Sequence, residues 1–244
     1  MTNIIPSDVK IDFGLLASGG VLILMTLLLL LCSEVFNSEV RASYESKFGY
    51  GSWRSIPLLS LFTGFLSGIL SATGGYLLGG GHLFLYLANF GTVVGYVSMQ
   101  SMITDPALHK VDRYLLRIAY FDTMVLTVFY LLNNFTGHDL VLRLLSSAAL
   151  YGAFLFLFIT SPIGPSDIRG MLIYMPFMLS VNVEFGTYAF LFVTGLTMVF
   201  MTIQKKRKND PFYAVPILPY LIVPYMVFIP FLPIADAILA LNPL

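Results

Sequence analysis

Phe13-Gly-Leu-Leu-Ala-Ser-Gly-Gly-Val-Leu-Ile-Leu-Met-Thr-Leu-Leu-Leu-Leu-Leu-Cys32 is an uninterrupted run of apolar and small residues without a single charge. As a helix it rises about 30 Å, the thickness of a bilayer core, and in lipid a helix satisfies every backbone amide internally. The run is longer than a signal-peptide core and no Ala-x-Ala-like site follows it, so it reads as a retained first span. The preceding Met1–Asp12 carries one Lys and two Asp.

The rest of the chain repeats this pattern. Similar segments lie at Ile56–Gly79, Leu83–Thr104, Tyr114–Leu132, Leu144–Pro162 and Ala214–Leu232. Met171 to Gln204 is one apolar stretch of 34 residues, about 50 Å long as a single helix and too long for one crossing. Asn182-Val-Glu-Phe-Gly186 is the natural break, which leaves a short segment Met171–Val183 followed by a full one. The expected fold class is therefore all-α: a polytopic membrane protein of about eight transmembrane segments. It forms one transmembrane unit over residues 1–244, with loops at 33–55 and 204–213 on one side.

Composition agrees. Hydrophobic residues make up 57% of the 244 residues and charged ones 11%, and mean hydropathy is +0.85; a soluble domain is about one quarter charged. Thirteen basic residues balance thirteen acidic ones, so no long-range field draws in a phosphate polymer, and nucleic-acid binding is excluded. Cys32 is the single cysteine. It rules out an internal disulfide and a Cys-rich zinc site, and its apolar surroundings predict a small buried side chain.

Charge placement tests the span count. With eight spans, Arg41, Lys47, Arg54, Lys110, Arg113, Arg117, Arg169 and the cluster Lys205, Lys206, Arg207, Lys208 share one side, and only Lys10 and Arg143 lie opposite. By the positive-inside rule that side is cytoplasmic and both termini are outside. Gly64-x3-Gly68 and Gly91-x3-Gly95 are spaced for close helix packing. Pro216, Pro219, Pro224 and Pro230 predict a kinked or broken last span.

Ionisable residues at membrane depth cost at least about 2.5–3.5 kcal/mol on insertion scales, so they are functional candidates. Asp105 ends the third span and Asp167 sits in the short loop Gly164-Pro-Ser-Asp167-Ile-Arg169-Gly170, both at the inner face. Asp112, in the loop after Asp105, reads as a solvated loop charge. Asp122, two turns into the fourth span, is expected to pair with Arg117 or bond a neighbouring hydroxyl. Two carboxylates brought together share a proton, providing one base to activate water and one acid for the leaving amine.

In this arrangement the chain resembles the prepilin and preflagellin peptidases, intramembrane aspartic proteases of the GxGD type. Asp105-Pro-Ala-Leu-His109-Lys110-Val-Asp112-Arg113 resembles the family's first aspartate and basic loop, and Gly164-Pro-Ser166-Asp167-Ile-Arg169 resembles its Gly-x-Gly-Asp-x-Lys. Lys47-Phe-Gly-Tyr-Gly-Ser-Trp-Arg-Ser-Ile-Pro57 is similar to the family's lead-in to its catalytic region. The likeness extends to the short helix, the full helix, the basic loop and the proline-rich last span. Ser166 and Arg169 depart from the motif's glycine and lysine, and Asp112 falls at or beside the place of a proline. The four-cysteine zinc loop of many bacterial members is absent.

The resemblance implies a compact peptidase that needs no metal and no cofactor and transfers no methyl group. Asp105 and Asp167 would be catalytic, while Gly164, Ser166, Arg169, His109 and Lys110 would bind substrate or support the motif. Its substrates would be pilin-like membrane precursors with short basic leaders, cut at the cytoplasmic face of the cell membrane of a prokaryote. A proton- or cation-coupled carrier using Asp122 and Asp105, and a degenerate family member that scaffolds pilus assembly, are the alternative classes. The chain shows no pair of interrupted repeat helices of the kind many carriers have.

Overall fold

The computed structural model describes residues 13–36, 38–77, 82–108 and 110–160, together with Ile173 and isolated positions between 195 and 207. Every regular element among them is helical: α1 (Phe13–Phe36), α2 (Ser38–Phe48), a 3-10 turn (Ser52–Arg54), α3 (Ser55–Leu77), α4 (His82–Leu108), α5 (Arg113–Asn134) and α6 (Gly137–Thr160). Five of the expected spans thus coincide with helices. Leu16–Phe36, Ser52–Gly75 and Arg113–Asn134 are long and apolar enough to cross a membrane. Met171–Val183, Phe185–Gln204 and Ala214–Leu232 fall outside the described residues, apart from those isolated positions.

The distribution of side chains is inverted relative to a soluble protein. Along α3, Leu58, Phe62, Phe65, Leu66 and Ile69 are exposed, whereas Ser60, Ser67 and Ser71 are buried. Within α4, Asn89, Thr92, Ser98, Gln100, Ser101, Thr104 and Asp105 are all buried. A face of leucine and phenylalanine pointing outward over a core of hydroxyls and amides suits a lipid environment and would be an aggregation hazard in water. Among the described helices the one that buries the most polar side chains is the central one: α4 packs against α1, α3 and α5, so its polar groups meet protein and not hydrocarbon.

The closest contact is α3 on α4, and the two glycine pairs make it. A Cβ on Gly91 would meet the Ser71 side chain and come within 2.7 Å of the Ser67 carbonyl oxygen. One on Gly95 would stand 2.6 Å from Ser67 Cβ, 2.7 Å from the Thr63 carbonyl oxygen and 3.0 Å from Gly64 Cα. The small residues predicted to serve packing therefore face one another across a single interface.

The segment expected as a plain loop at 33–55 is mostly helical. The first helix runs on to Phe36, and α2 folds back across the end of the bundle. Gly49, at φ 100°, and Gly51, at φ 82°, turn the chain from α2 into the 3-10 turn; left-handed torsions of this kind are easily reached only by glycine. That corner buries Trp53, which packs with Val40 and Ile56 against Tyr44, Ile103 and Leu108. Lys47 Nζ donates to the Ala107 carbonyl at 2.6 Å, satisfying one of the carbonyls a helix C-terminus leaves open. Cys32, expected to be buried, is exposed on α1, because the α1 face that meets α4 carries Ile23, Thr26, Leu27, Leu30 and Ser33 instead.

Candidate functional site

The α2 end of the bundle collects the acidic residues. Asp105 stands in the last turn of α4 and is 6% exposed. Seven residues later Asp112 begins α5: its backbone is extended and its carboxylate accepts the Tyr114 N–H at 2.8 Å. This is an N-cap, in which a side-chain oxygen satisfies an amide that the first helical turn leaves open. The expectation of a solvated loop charge at Asp112 is overturned, since the residue is 1% exposed. A capping carboxylate must sit against its own helix, and here that helix end is packed beneath α1 and α4.

Burial is the main cause that pushes the Asp112 carboxyl up to about 6; the Tyr114 and Leu115 N–H groups oppose it, and the Glu34 charge adds to it. Glu34 lies within α1, two residues beyond the run first read as the span. It is the hub of a polar constellation. Trp53 Nε1 donates to Glu34 Oε2 at 3.0 Å, Gln100 Nε2 donates to Oε1 at 2.9 Å, and the Tyr96 hydroxyl donates to Oε1 at 3.4 Å. Three elements distant in sequence thus meet on one carboxylate: α1, the 3-10 turn and α4. Thr104 Oγ1, one residue before Asp105, donates to the Gln100 backbone carbonyl at 2.9 Å within α4.

Trp53→Phe keeps the ring's bulk and deletes the N–H. It is expected to lower stability by about 1.5–3 kcal/mol, the usual worth of a hydrogen bond to a charged group. Circular-dichroism melting in detergent measures this; an unchanged melting temperature would show that the contact contributes nothing.

Lys110, which the resemblance puts among the residues that bind substrate or support the motif, is exposed and paired with Glu39 of α2 at 3.3 Å. Its visible role is to tie the loop after α4 to α2. His109, Gly164, Ser166, Asp167 and Arg169 lie outside the described residues, so the described part of the site contains Asp105 but not its expected partner. Among the described residues no group of three His, Cys, Asp or Glu converges as a metal site would.

A second polar group lies farther from the α2 end. Asn89 Nδ2 donates to Thr26 Oγ1 at 2.9 Å, and the same side chain is hydrogen-bonded to Asp122. Arg117, the partner first considered for Asp122, instead stands over the Tyr114 ring at 5.8 Å. An amide replaces the expected cation or hydroxyl because α4, and not the preceding turn of α5, faces Asp122.

No protein-family model, curated protein or solved structure matches the chain. The functional reading therefore stands on the residues and their geometry.

Proposed function

We propose that this chain is a membrane-embedded aspartic endopeptidase that removes the short basic leader of pilin-like precursors at the cytoplasmic face of the cell membrane. In this reading it has eight spans, both termini lie outside, and the α2 end of the bundle faces the cytoplasm. The observation that carries the proposal is the setting of Asp105: an acidic side chain, 6% exposed, at the end of the central helix and not out in a loop. An acid held inside the packed end of a span is a functional candidate and not an ordinary surface charge.

Catalysis uses Asp105 and Asp167 with one water. The ionised carboxylate takes a proton from the water, whose oxygen adds to the scissile carbonyl while the protonated carboxyl hydrogen-bonds the carbonyl oxygen. Collapse of the tetrahedral intermediate breaks the C–N bond, and the proton gained by the base passes to the leaving amine. The reaction consumes only water, so neither metal nor cofactor enters it. A site at the membrane rim lets the leader remain in water while the apolar helix of the precursor stays in lipid.

Cell-free cleavage of a co-expressed prepilin tests this. The parent protein is expected to shorten the precursor by its leader, and Asp105→Ala and Asp167→Asn are each expected to abolish cleavage. Asp112→Asn, which preserves the N-cap, is expected to retain it. Full activity in Asp167→Asn would refute the dyad.

The carrier reading draws on the hydrogen-bonded group Thr26, Asn89 and Asp122 inside the helices. It requires proton or cation flux in liposomes that Asp122→Asn removes, with no precursor cleavage.

A further inference from the structure

The first turns of α5 carry two arginines that the peptidase reading does not use. At about 100° per residue, Arg113, Arg117, Phe121 and Val128 fall within about 80° of one another around the helix, and all four are exposed. Two cations one turn apart thus stand at the head of an apolar stripe, on a helix long and apolar enough to cross a membrane. Beside them, the Arg117 guanidinium lies 5.8 Å from the centroid of the Tyr114 ring, and that ring meets Phe36, at the end of α1, at 6.0 Å. Both rings are exposed. Stacking holds a guanidinium by its face and leaves its N–H edges free to donate.

Neither arginine has a carboxylate partner among the described residues, where the ion pairs are Arg41 with Glu45 and Lys110 with Glu39. The flanking acids are engaged elsewhere: Asp112 is buried as the N-cap of α5, and Asp122 is hydrogen-bonded to Asn89 of α4. An arginine at the edge of the hydrocarbon sends its charge to the interface, where the acceptors on offer are water and headgroup phosphate. Guanidinium groups bind phosphate bidentately, and two of them about 6 Å apart along a helix can converge on one. A zwitterionic headgroup would bring an ammonium as well, and this face has no carboxylate to receive it. We propose that Arg113 and Arg117 bind the phosphate of one anionic phospholipid, whose headgroup rests against Tyr114 and Phe36 and whose acyl chains lie along Phe121 and Val128. The lipid then bridges the start of α5 and the end of α1. This site requires only that the helices face lipid and does not depend on the peptidase reading.

Native mass spectrometry of the detergent-purified chain, with dioleoylphosphatidylglycerol or dioleoylphosphatidylcholine added, tests this. The parent is expected to retain one phosphatidylglycerol about tenfold more tightly than phosphatidylcholine, two interfacial arginines being worth at least that. Arg113→Gln and Arg117→Gln are each expected to lower the preference about threefold, and together to abolish it. Glutamine is a good helix former, so all three variants are expected to melt with the parent in the same detergent. Arg54→Gln, which removes an exposed arginine of the 3-10 turn at the same end of the bundle, is expected to keep the preference. Millimolar inorganic phosphate is expected not to displace the lipid, because the acyl chains supply part of the binding. Equal retention of the two lipids by the parent overturns the site. So does a preference that survives the paired substitution, or one that Arg54→Gln lowers as far, which would make net charge the cause. Displacement by phosphate alone would assign the arginines to a free anion and overturn the lipid. No precursor enters this measurement, so its outcome is separate from that of the cleavage assay.

Discussion

The Gly95→Leu protein is expected to melt far below its parent, with a loss of about 3 kcal/mol or more. The Cβ alone would stand 2.6 Å from Ser67 Cβ and 2.7 Å from the Thr63 carbonyl oxygen. Neither neighbour is the free end of a flexible chain: one is the root of a side chain and the other is α3 backbone. The helices must therefore separate, and the whole α3–α4 contact loosens with them. In water such a gap would be partly offset by hydrophobic collapse elsewhere, but lipid is as apolar as leucine and close packing is itself the driving force. Gly91→Leu, aimed at Ser71 and the Ser67 carbonyl, is expected to behave alike. Gly20→Ala is the control: nothing lies within 4 Å of its added Cβ, so helix propensity alone should stabilise by about 0.5–1 kcal/mol. Melting curves in one detergent separate the two kinds of glycine; equal stability of Gly95→Leu and parent would show that the interface is not formed as described.

That interface was open to sequence reading because its signal is local. Two pairs of glycines four apart, each inside an apolar run, state both the spacing and the need for closeness. The helices from Phe13 to Thr160 were legible for the same reason, since runs of about twenty uncharged residues have few other uses. Glu34 was hidden by the opposite circumstance. Ser33 and Glu34 look like the end of an apolar run, yet Val35 and Phe36 extend it, and a helix carried on to Phe36 turns a loop acid into a part-buried one held by three donors. Its donors, Trp53, Tyr96 and Gln100, stand 19, 62 and 66 residues away, a convergence that no periodicity within one helix announces. Asp112 misled for a related reason: an aspartate beside Lys110 and Arg113 looks solvated, and only the packing over the first turn of α5 buries it. A signal for its role was present in the step from Asp112 to the apolar run after Arg113, which is an N-cap pattern. Asp105 was singled out by its place at a span's end, and it is buried there.

Asp112→Asn is expected to stabilise the protein, by up to about 3 kcal/mol at pH 8 and by nothing at pH 4. The folded protein holds the Asp112 proton up to about pH 6, whereas the unfolded chain releases it near 3.9. Between these values the native state binds more protons than the unfolded one, so stability falls as pH rises from about 4 to about 6, and above that the loss is complete. The cause is burial of a charge with too few donors: Tyr114 and Leu115 N–H approach the carboxylate, while Oδ2 has no donor among the described residues. Asparagine retains an oxygen for the Tyr114 amide and is as good a cap as aspartate, so the variant removes the charge and leaves the helix start intact. Asp112→Ala removes both, and relative to Asp112→Asn it is expected to lose about 1 kcal/mol at every pH. Melting temperatures of the three proteins from pH 4 to pH 8 measure this. A parent curve flat over that range, or an Asp112→Asn protein no more stable than the parent at pH 8, would contradict the account. The expected gain on deleting a native charge is itself informative, because a buried carboxylate that costs stability is the kind of group kept for what it binds.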